Sequence, residues 1–136
     1  MDEATKALLR QAVGITDEDL AKVTRNIEKV FSNVSRALEY KTVAEVTSSK
    51  YCFAGIKVGD KIVFSPFLNP QETTCTLCPR ALLPVLIALH SFWERAIEGV
   101  DLNDSAFGAI AGCLDPGLEY GGLGHVTFKL YAEKVG

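Results

Sequence analysis

With 136 residues, 48% of them hydrophobic and 23% charged, the chain is long enough for one domain with a real core and too apolar to stay disordered. Its formal net charge of -3 offers no basic field for a phosphate backbone, which argues against nucleic acid as a partner. The opening MDEATKALLRQAVG lacks the basic and apolar regions of a signal peptide, and the longest apolar run, ALLPVLIAL at 81–89, is too short to span a bilayer. A cytoplasmic protein with no membrane partner is expected.

Asp2 is placed to cap a helix through about Val13, with Gly14 where a left-handed residue ends it. A second start signal follows in GITDEDL: Thr16 as N-cap, Asp17, Glu18 and Asp19 in the first turn, and Ile15 with Leu20 as a hydrophobic staple. The spacing predicts one helix over 16–39. Leu20, Val23, Ile27, Val30, Val34 and Leu38, with Phe31 beside them, form a narrow stripe close to a heptad seam. The opposite face, with Lys22, Arg25, Asn26, Lys29 and Asn33, reads as solvated. The stripe can pack on its own domain or on a second copy, and a homodimer through the 16–39 helix is the partner it offers.

Beyond Tyr40 the β-branched KTVAEVTSS predicts a strand over 42–48. GDKIVFS predicts another after a Gly-Asp turn, with Ile62 and Phe64 on one face. Pro66 and Pro70 end it, leaving a loop at 65–74. PVLIALHSFWERAIEG reads as a helix that starts at Pro84, where a proline is tolerated, and ends at Gly99. Leu86, Leu89, Trp93 and Ile97 share one of its faces, flanked by Val85 and Phe92. AFGAIAGC (106–113) predicts a buried strand, DPGLEYGGLG a glycine-rich connection, and HVTFKLYAE a closing strand with Val126, Phe128 and Leu130 on one face. The sum is an α+β fold: a two-helix extension over 1–40, then, over 41–136, a small, mostly antiparallel sheet with one long helix packed on it.

Chemistry concentrates in four cysteines, Cys52, Cys75, Cys78 and Cys113, each predicted at the end of an element. In a reducing compartment they are free thiols or metal ligands rather than disulfides. A soft cation such as Zn²⁺, or an iron–sulfur cluster, takes three or four thiolates, and C-x-x-C at 75–78 is the shortest spacing that shares one metal. Zinc is the first expectation for these four residues and an Fe–S cluster the second, although only one such knuckle is present.

The rival reading is a redox or nucleophilic enzyme. Cys78 precedes Pro79 and Arg80 near a helix start, a setting that favours a thiolate, and Cys75 could resolve it. The pair lacks the interior of a thioredoxin motif. In the third reading the protein is a binding or subunit module whose cysteines pack as small hydrophobes, as Cys52 in YCFAG and Cys113 in AGCLD suggest.

His125, at a strand start beside the glycine-rich loop, is a candidate ligand or proton shuttle against a plain surface role. Asp115 reads as a turn residue, or as an acceptor supporting Cys113. Cys78, Asp115 and His125 are thus the catalytic candidates. Asp60 reads as a turn cap, His90 as structural, and Glu94 and Arg95 as a solvated helix face. GGLG precedes a strand rather than a helix, which removes it as a phosphate loop.

YCFAGIKVGDKIVF, LCPRALLPVL and CLDPG, followed by a closing strand, together resemble a largely uncharacterised family of small bacterial and archaeal proteins. Its pattern runs C-x-x-G…G-D, then C-P-x-A-L…P, then C-x-D, and covers about residues 41–133. Cys52, Gly55, Gly59, Asp60, Cys78, Pro84, Cys113 and Asp115 fall on it. The resemblance implies that Cys52, Cys78 and Cys113 act as a set, with Cys75 and the 1–40 segment outside it. A three-cysteine site would leave room for an exogenous ligand or for His125.

Overall fold

A computed structural model describes residues 1–105, 107 and 109–135. Helix α1 (Glu3–Val13) starts where Asp2 Oδ1 accepts the Thr5 N–H at 2.7 Å and ends at Gly14, whose φ is 65°. Thr16 caps α2 (Asp17–Leu20) by accepting the Asp19 N–H at 3.1 Å. The expected single helix over 16–39 then breaks. The N–H groups of Lys22 and Val23 close a tight turn on the carbonyls of Asp19 and Leu20, and Thr24 caps a separate helix α3 (Arg25–Leu38). Threonine is stiff in a helix interior, whereas its hydroxyl serves well as a cap, so a second start competes with continuation. Leu20 and Val23 therefore leave the stripe. On α3, Ala37 is buried, Ile27 and Leu38 are exposed, and Val30, Phe31 and Val34 are half-buried.

The sheet is antiparallel, in the order β2-β1-β4-β3: β1 (Tyr40–Lys50), β2 (Lys61–Phe64), β3 (Ile110–Gly112) and β4 (His125–Lys134). With four helices and this sheet, the α+β class stands as the sequence predicts. Strand β1 is longer than expected because it pairs along most of β4, with a register shift between Val46 and Ser48. Strand β4 alternates as predicted, with Val126, Phe128, Leu130 and also Ala132 buried. The third expected strand shrinks to Ile110–Gly112, and its Ala106 and Gly108 lie outside the described residues. The outer edge of β2 is covered by the loop that follows it: Asn69 donates to the Val63 carbonyl, and Thr74 and Cys75 donate to that of Lys61.

Helix α4 (Pro79–Glu98) crosses the sheet, and here two expectations are corrected. It starts at Pro79, not Pro84, so Pro84 sits in its interior. Its buried face is Ala81, Val85, Leu89, Phe92 and Ala96, while Leu86 is exposed and Trp93 and Ile97 are half-buried. Phe92, one of the largest fully buried side chains, lies on this face between the smaller Val85 and Ala96. Together with Ala44, Val46, Ile62, Val126 and Phe128 this face makes the main core. At its C-terminal end, Arg36 of α3 donates to the carbonyls of Arg95, Ala96 and Val100, and Lys29 pairs with Glu98 at 2.6 Å. The Arg95 and Ala96 carbonyls also accept the Val100 and Gly99 N–H groups that close the helix, and the Arg36 bonds seat α3 on this end of α4. Among the described residues no helix is long and apolar enough to cross a membrane.

Candidate functional site

Three segments converge at the end of the sheet where β1 finishes and β4 begins, Lys50 pairing with His125. The first is the turn after β1. Tyr51 takes φ 52°, the Gly55 N–H returns to the Cys52 carbonyl, and Asp60 closes the loop by accepting the Lys57 N–H at 3.0 Å. Gly124 passes beneath this turn so closely that a Cβ there would stand 2.2 Å from the Tyr51 carbonyl oxygen. Only glycine fits that crossing.

The second segment is the start of α4. Cys78 is its N-cap residue, with extended backbone and no side-chain capping bond, and Pro79 follows at the first helical position. Five residues further on, Pro84 has no N–H for the carbonyl four residues back, that of Arg80. The Leu114 N–H occupies that carbonyl instead, at 3.0 Å. A proline that looks like a helix defect is thus where the third segment, Cys113–Asp115, fastens to the helix.

That third segment is tied just as firmly to β4. The Cys113 N–H donates to the Val126 carbonyl at 2.9 Å, and the Val126 N–H donates back to Cys113 Sγ at 3.3 Å. His125 Nδ1 lies 3.7 Å from the same sulfur and also contacts the Asp115 carbonyl. Gly112 gives the imidazole its room, since a Cβ there would sit 3.1 Å from Nε2. The Asp115 carboxylate accepts three backbone N–H groups, from Gly117, Leu123 and Gly124, each at 3.0 Å. These bonds, the one from Gly117 foremost, hold its pKa below the ordinary carboxylate value, and Arg80 adds to the effect. Asp115 therefore stitches the glycine-rich loop onto the cysteine segment.

The three segments enclose a cavity of about 410 Å³. Half-buried Cys52, Cys78 and Cys113 line it together with Arg80, Asp115 and His125, and Ala54, Ile56, Leu123 and Val126 supply apolar wall. Cys75 is not part of this lining. It is buried, its thiol lies 3.3 Å from the Thr76 carbonyl, and burial, helped by the charge of Asp60 and by the nearby thiols of Cys52 and Cys78, pushes its pKa up to about 11. All four cysteines are free. Among the described residues no group of three or more His, Cys, Asp or Glu side chains is placed to hold one metal ion.

Of the other residues singled out in the sequence, His90 is exposed on α4 beside Glu94. Asp60 holds its turn. Arg95, expected on a solvated face, instead packs on the Phe92 ring at 4.4 Å and donates through Nε to the Leu102 carbonyl. The sequence reading missed the apolar wall, the room that Gly112 makes, and the part Pro84 plays. The nearest signal was a proline six residues past Cys78, inside an unbroken apolar run. Comparison with family models, with curated proteins and with solved structures returns no match, so the chemistry of this cavity is read from its own residues.

Proposed function

We propose that the cavity is a soft-metal centre with Cys52, Cys78 and Cys113 as its thiolate ligands, in a protein of the reducing cytoplasm. The observation that carries this reading is that three cysteines from three distant segments line one cavity. The N–H bond from Val126 to Cys113 Sγ adds to it, because it favours an electron-rich sulfur. Zn–S bonds of about 2.3 Å would bring three thiolates on one zinc within about 4 Å of one another. No group of three candidate ligands among the described residues stands that way. An iron–sulfur cluster, which spreads its cysteines around several metal atoms, needs less rearrangement than zinc. The fourth position falls to His125 or to an exogenous ligand, with Cys75 held behind the wall.

Anaerobically purified protein is expected to contain iron and sulfide and to show visible charge-transfer absorption. Serine at 52, 78 or 113 should remove the absorption, and serine at 75 should keep it. Colourless protein with stoichiometric zinc keeps the metal centre but replaces the cluster. Metal far below stoichiometry with no visible band overturns the reading.

One observation favours a second reading, thiol chemistry at Cys78. Its side chain stands at the start of a long helix with no capping bond, in the same cavity as Arg80. Fast alkylation of Cys78 in metal-free protein supports it, and uniformly slow alkylation of all four cysteines removes it. The proposal also includes self-association through the apolar residues that α3 leaves partly uncovered.

A further inference from the structure

The cavity carries one charged group that the protein itself leaves unused. Among the described residues the Arg80 guanidinium makes no hydrogen bond or ion pair, although it lines the cavity. Arg80 is exposed, unlike half-buried Arg36, which bonds carbonyls at the end of α4, and half-buried Arg95, which packs on Phe92 and donates through Nε to the Leu102 carbonyl. Asp115 is close enough for Arg80 to lower its pKa, yet its two carboxylate oxygens already serve three backbone N–H groups. A guanidinium presents five donors in a flat fork suited to a carboxylate, and Arg80 is part of the cavity lining.

We propose that this cavity takes a small organic carboxylate, its charge held by Arg80 and its apolar body against Ala54, Ile56, Leu123 and Val126. The inference rests on the cavity being a ligand site, and it names the class of molecule that would share that site with the thiols. Three observations carry it. The volume, about 410 Å³, lies within the range of small-molecule sites. The wall is apolar at those four residues, so binding there rewards a hydrocarbon body. The root of the Arg80 side chain is fixed, because its carbonyl is fastened by Leu114 where Pro84 cannot reach it. Cys78, two residues earlier at the same helix start, would stand beside the bound molecule.

Phenylacetate and its neutral isostere phenylacetamide separate the outcomes. Each would be titrated by NMR into the protein as purified, with metal content measured on the same sample. Saturable binding of phenylacetate is expected, shifting the amide signals of Arg80, Ala81, Leu123 and Gly124, with phenylacetamide about tenfold weaker. Arg80→Met should remove that preference while the spectrum stays folded. The acid–amide comparison on wild type is decisive even if the variant does not fold. Equal binding of acid and amide, or no saturable binding of either, overturns the inference. A preference for the acid without metal keeps this subsite and removes the metal centre. Metal without the preference does the reverse.

Discussion

Asp115 shows how much one side chain can do when its lone pairs are all used. Its carboxylate joins the Cys113 segment to Gly117, Leu123 and Gly124, and those bonds depress its pKa. The folded form holds the anion more tightly than the unfolded chain does. The stabilisation is therefore complete above the ordinary carboxylate value of about 4, and it is lost as pH falls through the lower folded value. Hydrogen exchange at Gly117, Leu123 and Gly124, corrected for intrinsic rates, should stay protected down to about pH 4 and fail as the pH falls further. Asp115→Asn should expose these amides at neutral pH, and unchanged protection would show that the charge is idle.

Cys75 has the opposite sign, because burial favours its neutral thiol. Its stabilisation is complete below the ordinary value of 9.0 and is lost as pH rises toward about 11. Iodoacetamide at pH 8 should thus label Cys75 last of the four. Early labelling would mean that the wall behind the cavity opens freely.

Elements meet in this protein through the ends and defects of helices. Arg36 supplies three hydrogen bonds to carbonyls at the end of α4, and no neutral residue can replace them. Arg36→Met is expected to cost about 1–3 kcal/mol in urea denaturation. A smaller change would mean that apolar packing alone seats α3. Pro84 plays the matching part at the other end. An alanine N–H at 84 would reclaim the Arg80 carbonyl for the helix and release Leu114. Pro84→Ala is expected to keep α4 intact, to speed hydrogen exchange at Leu114 and to make Cys113 easier to alkylate. A folded variant with Leu114 still protected would refute that role.

At the scale of the whole molecule, α3 and α4 pack side by side while part of the α3 stripe stays open, with Ile27 42% exposed. If that stripe meets a second copy, the wild type should sediment as a dimer and Ile27→Asp as a monomer. A monomeric wild type would end the proposal. The split of the expected 16–39 helix matters here, because Thr24 shortens the seam to α3 alone. A shorter seam buries less area, so dimerisation at micromolar rather than nanomolar concentration is the corresponding expectation.

The fold class, the caps at Asp2 and Thr16, the end at Gly99 and the alternation of β4 were all legible in the sequence, because each depends on residues within a few positions of one another. The break at Thr24 and the buried face of α4 were not, since competition between two helix starts and the choice of a buried face are settled by what packs nearby. The same divide runs through the site. Sequence alone marked Cys52, Cys75, Cys78, Cys113, Asp115 and His125 as chemistry-bearing, and could not say which of them line one cavity. That lining, the apolar wall and the place of Arg80 beside it exist only once β1, α4 and β4 bring distant segments to one end of the sheet. Burial and hydrogen-bond satisfaction belong to that arrangement, and no local spacing encodes them.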